Sequence, residues 1–179
     1  MSTVFVDVDT QLDFLLPAGA LYVPGAERIV PNLKRLTLYA ATHGIPLIST
    51  LDTHTENDPE FPLYGFHPHC VEGTIGHGKS HAALGHPAQH LIRKSTFDCF
   101  TNPALEPLLN RLGADTYAVY GVVTEICVQC AAMGLLRTGA RVLLVTDAIQ
   151  SLDAGKAAAF VDAFSAQGGK LTTVAEVCA

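Results

Sequence analysis

The sequence predicts a single doubly wound α/β domain spanning residues 1–179, built on a mostly parallel sheet of six strands with helices on both faces. Short β-branched runs alternate along the chain with segments whose apolar residues recur at helical spacing. This alternation is typical of a parallel sheet covered by two layers of helices. Hydrophobic residues make up 49% of the chain and charged residues only 16%, which favours a large core and excludes a disordered protein.

Six short apolar runs are predicted to form the strands. Five lie at residues 4–8, 46–50, 117–121, 141–145 and 171–174, and a weaker one lies at residues 89–93. Most are too short for a helix and rich in branched aliphatic residues, as expected for strands buried on both faces.

Four segments have apolar residues at helical spacing. The apolar positions that mark them lie within residues 26–36, 105–112, 125–137 and 157–164. Gly44, Gly113 and Gly139 follow the first three, in the position where glycine commonly ends a helix. Asn102 is the expected N-cap of the second helix, with Pro103 in its first turn.

Residues 52–87 fit neither pattern. This segment is rich in Gly, Pro and His, and seven of the eight histidines lie between His54 and His90. It is far longer than an ordinary connection, and long ordered loops usually carry function. We therefore predict a metal-binding loop at about residues 52–87.

Charge and composition exclude several classes of function. The chain has a formal net charge of −6, so it lacks the basic surface that non-specific nucleic-acid binding needs. No window of 18 residues is uninterruptedly apolar, and the N-terminus lacks the pattern of a signal peptide. We therefore expect no membrane span and a cytoplasmic location, with the five cysteines reduced.

The residues that follow each strand are the candidates for function, because ligands of open parallel sheets bind at the carboxyl ends of the strands. After the first strand, Asp7, Asp9 and Asp13 place three carboxylates within seven residues. Carboxylates that leave an apolar strand are costly unless they are hydrogen-bonded or used in chemistry. Turn formation and catalysis are both open explanations.

A possible metal site follows the second strand. Asp52, His54 and the later His69 offer one carboxylate and two imidazoles, a ligand set that suits Zn²⁺, Fe²⁺ or Mn²⁺. Glu60 or Glu56 could add a fourth ligand from the intervening loop. The alternative is that these are ordinary polar residues of a surface loop.

Two further strand ends offer a cation and a thiol. Lys94 follows the weak strand and matters only if its side chain points inward. Thr124 is a candidate N-cap, which would place Cys127 in a first helical turn, where the dipole lowers the pKa of a thiol. A buried structural thiol is the alternative. A thiol, a lysine and Asp9 as the base would together supply a nucleophile, a cation and an acid/base.

Five motifs occur in the order found in one known family. They are Asp-Thr-Gln-Leu-Asp-Phe at 9–14, Gly-Ala-Leu-Tyr-Val-Pro-Gly-Ala at 19–26, Asp-Thr-His at 52–54, Pro-His-Cys-Val-Glu-Gly-Thr at 68–74, and Gly-Val-Val-Thr-Glu-Ile-Cys-Val at 121–128. Lys94 lies between the last two. From residue 5 to about 150 the chain resembles the isochorismatase-like cysteine hydrolases, and within them the nicotinamidases.

The resemblance implies a Rossmann-type three-layer fold and hydrolysis of nicotinamide to nicotinate and ammonia through a thioester. It implies a catalytic triad of Asp9, Lys94 and Cys127. It also implies a non-proline cis peptide at Val122–Val123, which helps to aim the amides of Val123 and Cys127 as an oxyanion hole.

The resemblance further implies one divalent ion, with Zn²⁺ favoured over Fe²⁺ or Mn²⁺. Asp52, His54 and His69 would be its ligands, and the ion would bind the pyridine nitrogen and orient the substrate. Phe14 and Phe66 would wall the ring. The apolar composition and the habit of the family favour a homo-oligomer acting on a small-molecule amide.

The chain departs from the nicotinamidase pattern in three ways. Phe66 stands where those proteins usually have Trp, and the chain has no Trp at all. Cys130 makes a Cys-x-x-Cys pair with Cys127, which would permit oxidative inactivation. Five further histidines of the loop region could add metal contacts: His67, His77, His81, His86 and His90.

Three alternative functions remain open at this level. The first is a related cysteine amidohydrolase acting on another small amide, such as a carbamoyl or ureido compound. The second is a redox pair or structural zinc site at Cys127 and Cys130. The third is a non-catalytic binding protein on the same fold.

Overall fold

The computed structural model describes residues 2–179 and contains a six-stranded sheet. The strands are β1 (Thr3–Val8), β2 (Leu47–Asp52), β3 (Gln89–Lys94), β4 (Thr116–Val122), β5 (Arg141–Gln150) and β6 (Lys170–Thr172). Their order across the sheet is β3-β2-β1-β4-β5-β6, and every neighbouring pair is parallel. The predicted fold class is confirmed.

Seven α-helices are found within residues 2–179. They are α1 (Leu12–Leu15), α2 (Val30–His43), α3 (Glu60–Tyr64), α4 (Leu105–Leu112), α5 (Gln129–Arg137), α6 (Ala154–Ala166) and α7 (Val174–Val177). Short 3₁₀ turns lie at Ala26–Ile29, His81–Ala83 and Cys99–Thr101, and a π-helical turn lies at Thr124–Val128. None of these helices has both the length and the apolar character needed to cross a membrane.

The two faces of the sheet are covered by different helices. Along β1, Val4, Val6 and Val8 point to a core shared with α4, α5 and α6, while Phe5 points to a core shared with α2 and α7. This division follows from the alternation of side chains along a strand. It explains why the central strands β2, β1 and β4 are buried at nearly every position.

Two predicted boundaries are wrong because side chains bind backbone amides nearby. Val174, predicted to end a strand, begins α7, because the hydroxyl of Thr173 accepts from the Glu176 amide while the Glu176 carboxylate accepts from the Thr173 amide. This reciprocal capping box starts a helix despite the β-branched residues. Asn102 is not the N-cap of α4; its side chain accepts from the Ala104 amide, and Ala104 takes the N-cap position.

The strand order reverses between β1 and β4, and this reversal positions the site. From β1 the chain runs outward to β2 and β3, then crosses back to β4 on the other side of β1. The carboxyl ends of β1 and β4 therefore lie side by side at the switch point, where doubly wound sheets bind their ligands. The segment before β3 folds back over this edge, where Lys79 forms an isolated antiparallel bridge with Gln11.

Candidate active site

Asp9, Lys94 and Cys127 converge at the carboxyl edge of the sheet. The Lys94 Nζ atom lies 2.7 Å from Asp9 Oδ2 and 3.6 Å from Cys127 Sγ. All three side chains are buried. Lys94 therefore points inward, as the catalytic hypothesis requires, and one ammonium group contacts both the carboxylate and the thiol.

The neighbouring strand β2 holds Asp9 in place. Asp9 has a backbone φ of 48°, in the left-handed region that Asp adopts more readily than most residues. Its amide donates to Thr50 Oγ1 at 3.1 Å, and the Thr50 hydroxyl donates to Asp9 Oδ1 at 2.6 Å. The remaining oxygen, Oδ2, is thus directed at Lys94.

The three carboxylates after β1 have different partners. Asp7 accepts hydrogen bonds from Thr10 and Ser49 and lies 2.7 Å from Lys79 Nζ. Asp13 accepts from the backbone amides of Ala20 and Cys70, so it joins the segment after β1 to the loop that carries Cys70. Of the three, Asp9 is the one that contacts Lys94 at the switch point.

Cys127 lies in a π-helical turn that directly follows β4. The turn is preceded by a cis peptide at Val122–Val123, as the resemblance implied. Val123 takes the N-cap position, no side chain caps the turn, and Thr124 is its first residue. The prediction of Thr124 as an N-cap is therefore wrong, because the chain leaves β4 through a wider turn than an α-helix provides.

The expected low pKa of Cys127 is also wrong in this structure. Burial raises the pKa of the thiol well above its ordinary value, and the charges of Asp9 and Asp52 act in the same direction. The Lys94 ammonium lowers the pKa but does not outweigh burial. The resting thiol therefore keeps its proton, and a base is needed to remove it.

Asp52, His54 and His69 form a second cluster beside these three residues. Asp52 Oδ2 lies 3.1 Å from His54 Nε2 and 3.4 Å from His69 Nε2. One ligand atom from each residue lies within 4.8 Å of the other two. Lys94 also donates to Asp52 Oδ1 at 3.0 Å, so the two clusters share one cation.

The donor set of this second cluster fits a divalent ion. The His69 Nδ1 atom lies 2.8 Å from the His67 carbonyl oxygen; a carbonyl only accepts, so Nδ1 carries the proton and Nε2 is free to bind a metal. His54 Nε2 is buried without a well-aligned hydrogen bond. Burial disfavours the charge of Asp52, yet Lys94 and His54 hold the pKa of Asp52 below its usual range. The carboxylate is therefore ionised and available as a ligand.

The loop carboxylates differ in their access to this cluster. Glu60 is buried, and its Oε1 atom has no hydrogen-bond partner among residues 2–179. Glu56 is exposed. Asp58 Oδ2 lies 3.1 Å from His54 Nδ1, on the far side of the ring from Asp52. Of the two predicted candidates for a fourth ligand, Glu60 is the one with a buried free oxygen.

The additional histidines and the Cys127–Cys130 pair, which were also predicted as candidate metal contacts, do not form a metal-binding cluster in the part of the chain that the structure describes. Within residues 2–179, two groups of side chains are placed to bind a metal: Asp52, His54 and His69, and separately His54, Asp58 and Glu60. Neither group includes the five additional histidines or any cysteine. His67 and His81 are exposed, and His77 contacts Thr53 instead. All five cysteines are free. The arrangement gives no support to a structural zinc site at Cys127 and Cys130.

An apolar cavity opens beside Cys127. Phe14 and Phe66, the two residues predicted to wall a substrate ring, line it, and Val123 and Cys127 form part of its wall. The ring centroids of Phe14 and Phe66 lie 5.6 and 5.7 Å from that of His69. Aromatic side chains thus lie between the cluster of Asp52, His54 and His69 and the space in front of the Cys127 thiol.

Sequence reasoning missed several lining residues. They are Leu21, Val23, Phe97, Ile126 and Leu152. Phe97 lies three residues after the end of β3, and Leu152 two residues after the end of β5. Both could have been found by extending the search for strand-end residues from polar to apolar side chains.

Gln11 was part of a recognised motif, but its role was not predicted. Its side-chain oxygen accepts from the Asp52 amide at 2.7 Å, and its Nε2 donates to the Asp52 carbonyl at 2.8 Å and to the His77 carbonyl at 2.9 Å. One amide side chain therefore fixes the backbone of Asp52 against the segment that carries Asp9. Its partners are 41 and 66 residues away in sequence, so local pattern gives no sign of them.

Comparison with known proteins identifies relatives of the whole fold. A family model described as the isochorismatase domain matches residues 3–176. Streptothricin hydrolase of Streptomyces noursei is 31% identical over 154 residues, covering 82% of this chain and 49% of that protein. Nicotinamidase of Acinetobacter baylyi is 29% identical over 177 residues, covering 82% of this chain and 80% of that protein.

Among solved structures, the pyrazinamidase of Pyrococcus horikoshii in complex with zinc has a TM-score of 0.88 and 26% identity, covering 97% of this chain and 99% of that one. The chain spans about half the length of the streptothricin hydrolase it matches. Because the family model covers nearly all of the sequence, the chain belongs to the isochorismatase family.

Proposed function

We propose that this protein is a metal-containing cysteine amidohydrolase that converts nicotinamide to nicotinate and ammonia through a thioester. The observation that carries the proposal is the convergence of buried Asp9, Lys94 and Cys127 on an aromatic-lined cavity beside the Asp52 cluster. A nucleophile, a base and a cation around one cavity are the parts that acyl transfer requires.

Asp9 acts as the general base for the first step. Because burial keeps the Cys127 thiol protonated, the Asp9 carboxylate takes that proton as the sulfur attacks the carboxamide carbon. Lys94 stabilises the transient thiolate through its position 3.6 Å from Sγ. Burial disfavours the charge of Lys94, yet the carboxylates of Asp9 and Asp52 hold its pKa well above the ordinary value. Lys94 therefore stays charged throughout the cycle.

The amides of Val123 and Cys127 would hold the oxyanion of the tetrahedral intermediate. Both residues border the cavity; the Val123 amide belongs to the cis peptide itself, and Cys127 lies four residues later. Backbone amides fixed in advance stabilise developing charge without reorganisation. Asp9 then returns its proton to the departing ammonia, and water hydrolyses the thioester with Asp9 again as the base.

Asp52, His54 and His69 would hold one divalent ion. When bound, the ion supplies an acceptor site for the pyridine nitrogen and so orients the ring. Zn²⁺ is favoured because a zinc complex is known for the pyrazinamidase of Pyrococcus horikoshii. The chain's own contribution is to keep Asp52 ionised through Lys94 and to direct the Nε2 atoms inward.

A second candidate is hydrolysis of a different small amide. The observation in its favour is Phe66, which offers less stacking area than the Trp usual in nicotinamidases. The similarity to a streptothricin hydrolase at 31% identity also shows that relatives with other named substrates exist. Under this second candidate, Asp9, Lys94 and Cys127 have the same roles, and the cavity binds a carboxamide other than nicotinamide.

Ammonia release from a panel of small amides tests the proposal. We expect nicotinamide to be the best substrate, with turnover reduced at least about 10³-fold by Cys127→Ala, because the nucleophile is lost. The far-ultraviolet circular dichroism spectrum of Cys127→Ala should match that of the wild type. A zinc-loaded preparation that releases ammonia from another amide but not from nicotinamide would favour the second candidate. No turnover of any amide would refute both.

A further inference from the structure

Glu125 binds a segment that is distant in sequence and borders the cavity. It lies in the same π-helical turn as Cys127, two residues before the thiol. Its Oε1 atom accepts hydrogen bonds from the backbone amides of Leu152 and Asp153, at 2.9 and 2.6 Å. One carboxylate oxygen thus anchors two successive residues between β5 and α6 to the turn that carries the nucleophile.

The far end of that segment is held by α6. Asp153 accepts from the amides of Gly155 and Lys156 through its own Oδ1 atom, which caps the first turn of the helix. Leu152 therefore lies between two anchored points, the Glu125 carboxylate and the α6 cap. Its backbone has little freedom to move away from the cavity.

Leu152 presents an apolar side chain at the cavity wall. It lines the same space as Phe14, Phe66 and Cys127, yet 47% of its surface is exposed. A large apolar side chain that stays exposed beside a cavity gains contact when a flat apolar group fills the space. This placement suits the face of an aromatic ring whose carboxamide reaches Cys127.

We propose that Leu152 determines specificity for an aromatic amide, and that Glu125 is the positioning residue that holds Leu152 against the ring. The inference rests on the proposed function and adds to it a wall of the substrate site outside the triad and the metal cluster. Glu125 acts through the backbone of Leu152 and does not touch the reacting atoms.

Steady-state kinetics with nicotinamide and with propionamide test this inference. Leu152→Ala should raise KM for nicotinamide about tenfold, since it removes an apolar contact to the ring. Its kcat should stay within about threefold, and propionamide turnover should change little. Leu171→Ala is the matched control, because Leu171 is 49% exposed and lies on β6; its kinetics should match the wild type.

A second set of variants tests whether Glu125 affects nicotinamide binding by positioning Leu152. Glu125→Ala should reproduce the rise in KM for nicotinamide, and the Glu125→Ala/Leu152→Ala double variant should be no worse than the weaker-binding single variant. Glu125→Gln should restore wild-type KM, because its amide oxygen still accepts from both backbone amides. If Glu125→Ala is unstable, Glu125→Gln serves as the folded variant at the same position.

Three outcomes would contradict the inference. If the wild type hydrolyses nicotinamide and Leu152→Ala leaves KM unchanged, the specificity role fails while the proposed function stands. If Glu125→Ala lowers kcat for both amides and leaves KM unchanged, Glu125 supports the nucleophile turn and not Leu152. If the wild type releases no ammonia from nicotinamide, the proposed function fails and the inference falls with it.

Discussion

Lys94 links the two halves of the site through a single ammonium group. It lies 2.7 Å from Asp9 Oδ2 and 3.0 Å from Asp52 Oδ1. An arginine could not replace it conservatively, because a planar guanidinium cannot place one compact charge between two buried carboxylates and a thiol. At the scale of single residues, therefore, the charge beside Cys127, the proposed nucleophile, is the same charge that keeps Asp52, a proposed metal ligand, ionised.

The state of Cys127 gives a prediction about pH. Burial raises its pKa above the ordinary range, so the reactive thiolate forms only at more alkaline pH than in a free cysteine. We expect alkylation of Cys127 by iodoacetamide in the absence of substrate to stay slow through pH 8 to 9, where a free cysteine becomes reactive. Peptide mass spectrometry measures the rate at Cys127 alone.

The half-buried Cys130 serves as the internal comparison for that measurement in the same samples. A Cys127 rate that rises steeply between pH 6 and 7 would contradict the prediction. That result would mean that Lys94 outweighs burial and that the resting enzyme holds a thiolate.

Phe66 gives a prediction about ring binding. Replacing it with Trp enlarges the aromatic surface beside His69, whose ring centroid is 5.7 Å away. We expect Phe66→Trp to lower KM for nicotinamide about two- to tenfold, the range that aromatic pairs contribute. Phe66→Leu should raise KM instead. Equal KM values for the three proteins would show that this side chain does not contact the substrate.

Some residues of the site could be predicted from the sequence and others could not. Asp9 and Cys127 were accessible because each follows a predicted strand and belongs to a motif. Lys94 was accessible because it follows a predicted strand and lies between two of those motifs. The raised pKa of Cys127 was not accessible, because it depends on burial by the folded chain. Glu125 was also missed, since its partners Leu152 and Asp153 lie 27 and 28 residues away.

At the scale of elements, the loop after β2 is joined to the sheet by a second buried ion pair. Lys79 Nζ lies 2.7 Å from Asp7 Oδ2 and donates to the Thr50 carbonyl at 3.1 Å. Both side chains are almost fully buried. Thr50 is also the residue that holds Asp9, so this pair supports the strand ends on which the site is built.

Breaking this pair should be costly. We expect Lys79→Met to lower the free energy of unfolding by about 3–5 kcal/mol, because it leaves the Asp7 carboxylate buried without a cation. Urea denaturation measures the loss. The Asp7→Asn/Lys79→Met double variant should recover part of it, and Lys156→Met on the exposed surface should cost less than about 0.5 kcal/mol. A loss below 1 kcal/mol for Lys79→Met would contradict the prediction.

The elements themselves were predicted well where periodicity is strong. The strands and the helices α2, α4 and α6 lie at or near the predicted positions. The short helix α3 was not predicted, because five residues within a loop rich in Pro and Gly carry no detectable period. The π-helical turn before α5 was missed because its hydrogen-bond pattern is set by the exit from β4.

At the scale of the whole molecule, metal binding is expected to stabilise the fold. The ligand atoms of Asp52, His54 and His69 are brought within reach of one another by the fold, so an ion that binds all three stabilises the folded state over the unfolded chain. At a free Zn²⁺ concentration of 100 Kd the gain is about 2.7 kcal/mol, or roughly 5–10 °C in Tm for a chain of this size. Differential scanning calorimetry of chelator-treated and reloaded protein measures this shift.

His54→Ala and Glu56→Gln provide the matched pair for the metal experiment. His54→Ala should remove the zinc-dependent rise in Tm, whereas Glu56→Gln should keep it, because Glu56 is an exposed residue of the same loop. An equal rise in Tm for His54→Ala and the wild type would show that zinc binds elsewhere on the molecule.

The place of β3 in the sheet has a consequence for how the molecule loses activity. β3 lies at one edge of the sheet, and its last residue is Lys94. Edge strands open locally at a lower free energy than the strands at the centre of a sheet. A molecule in which β3 has detached keeps its central strands but lacks the cation of its site. Inactivation under mild denaturing conditions would therefore follow the amide hydrogen exchange of this one strand, ahead of the cooperative unfolding of the domain.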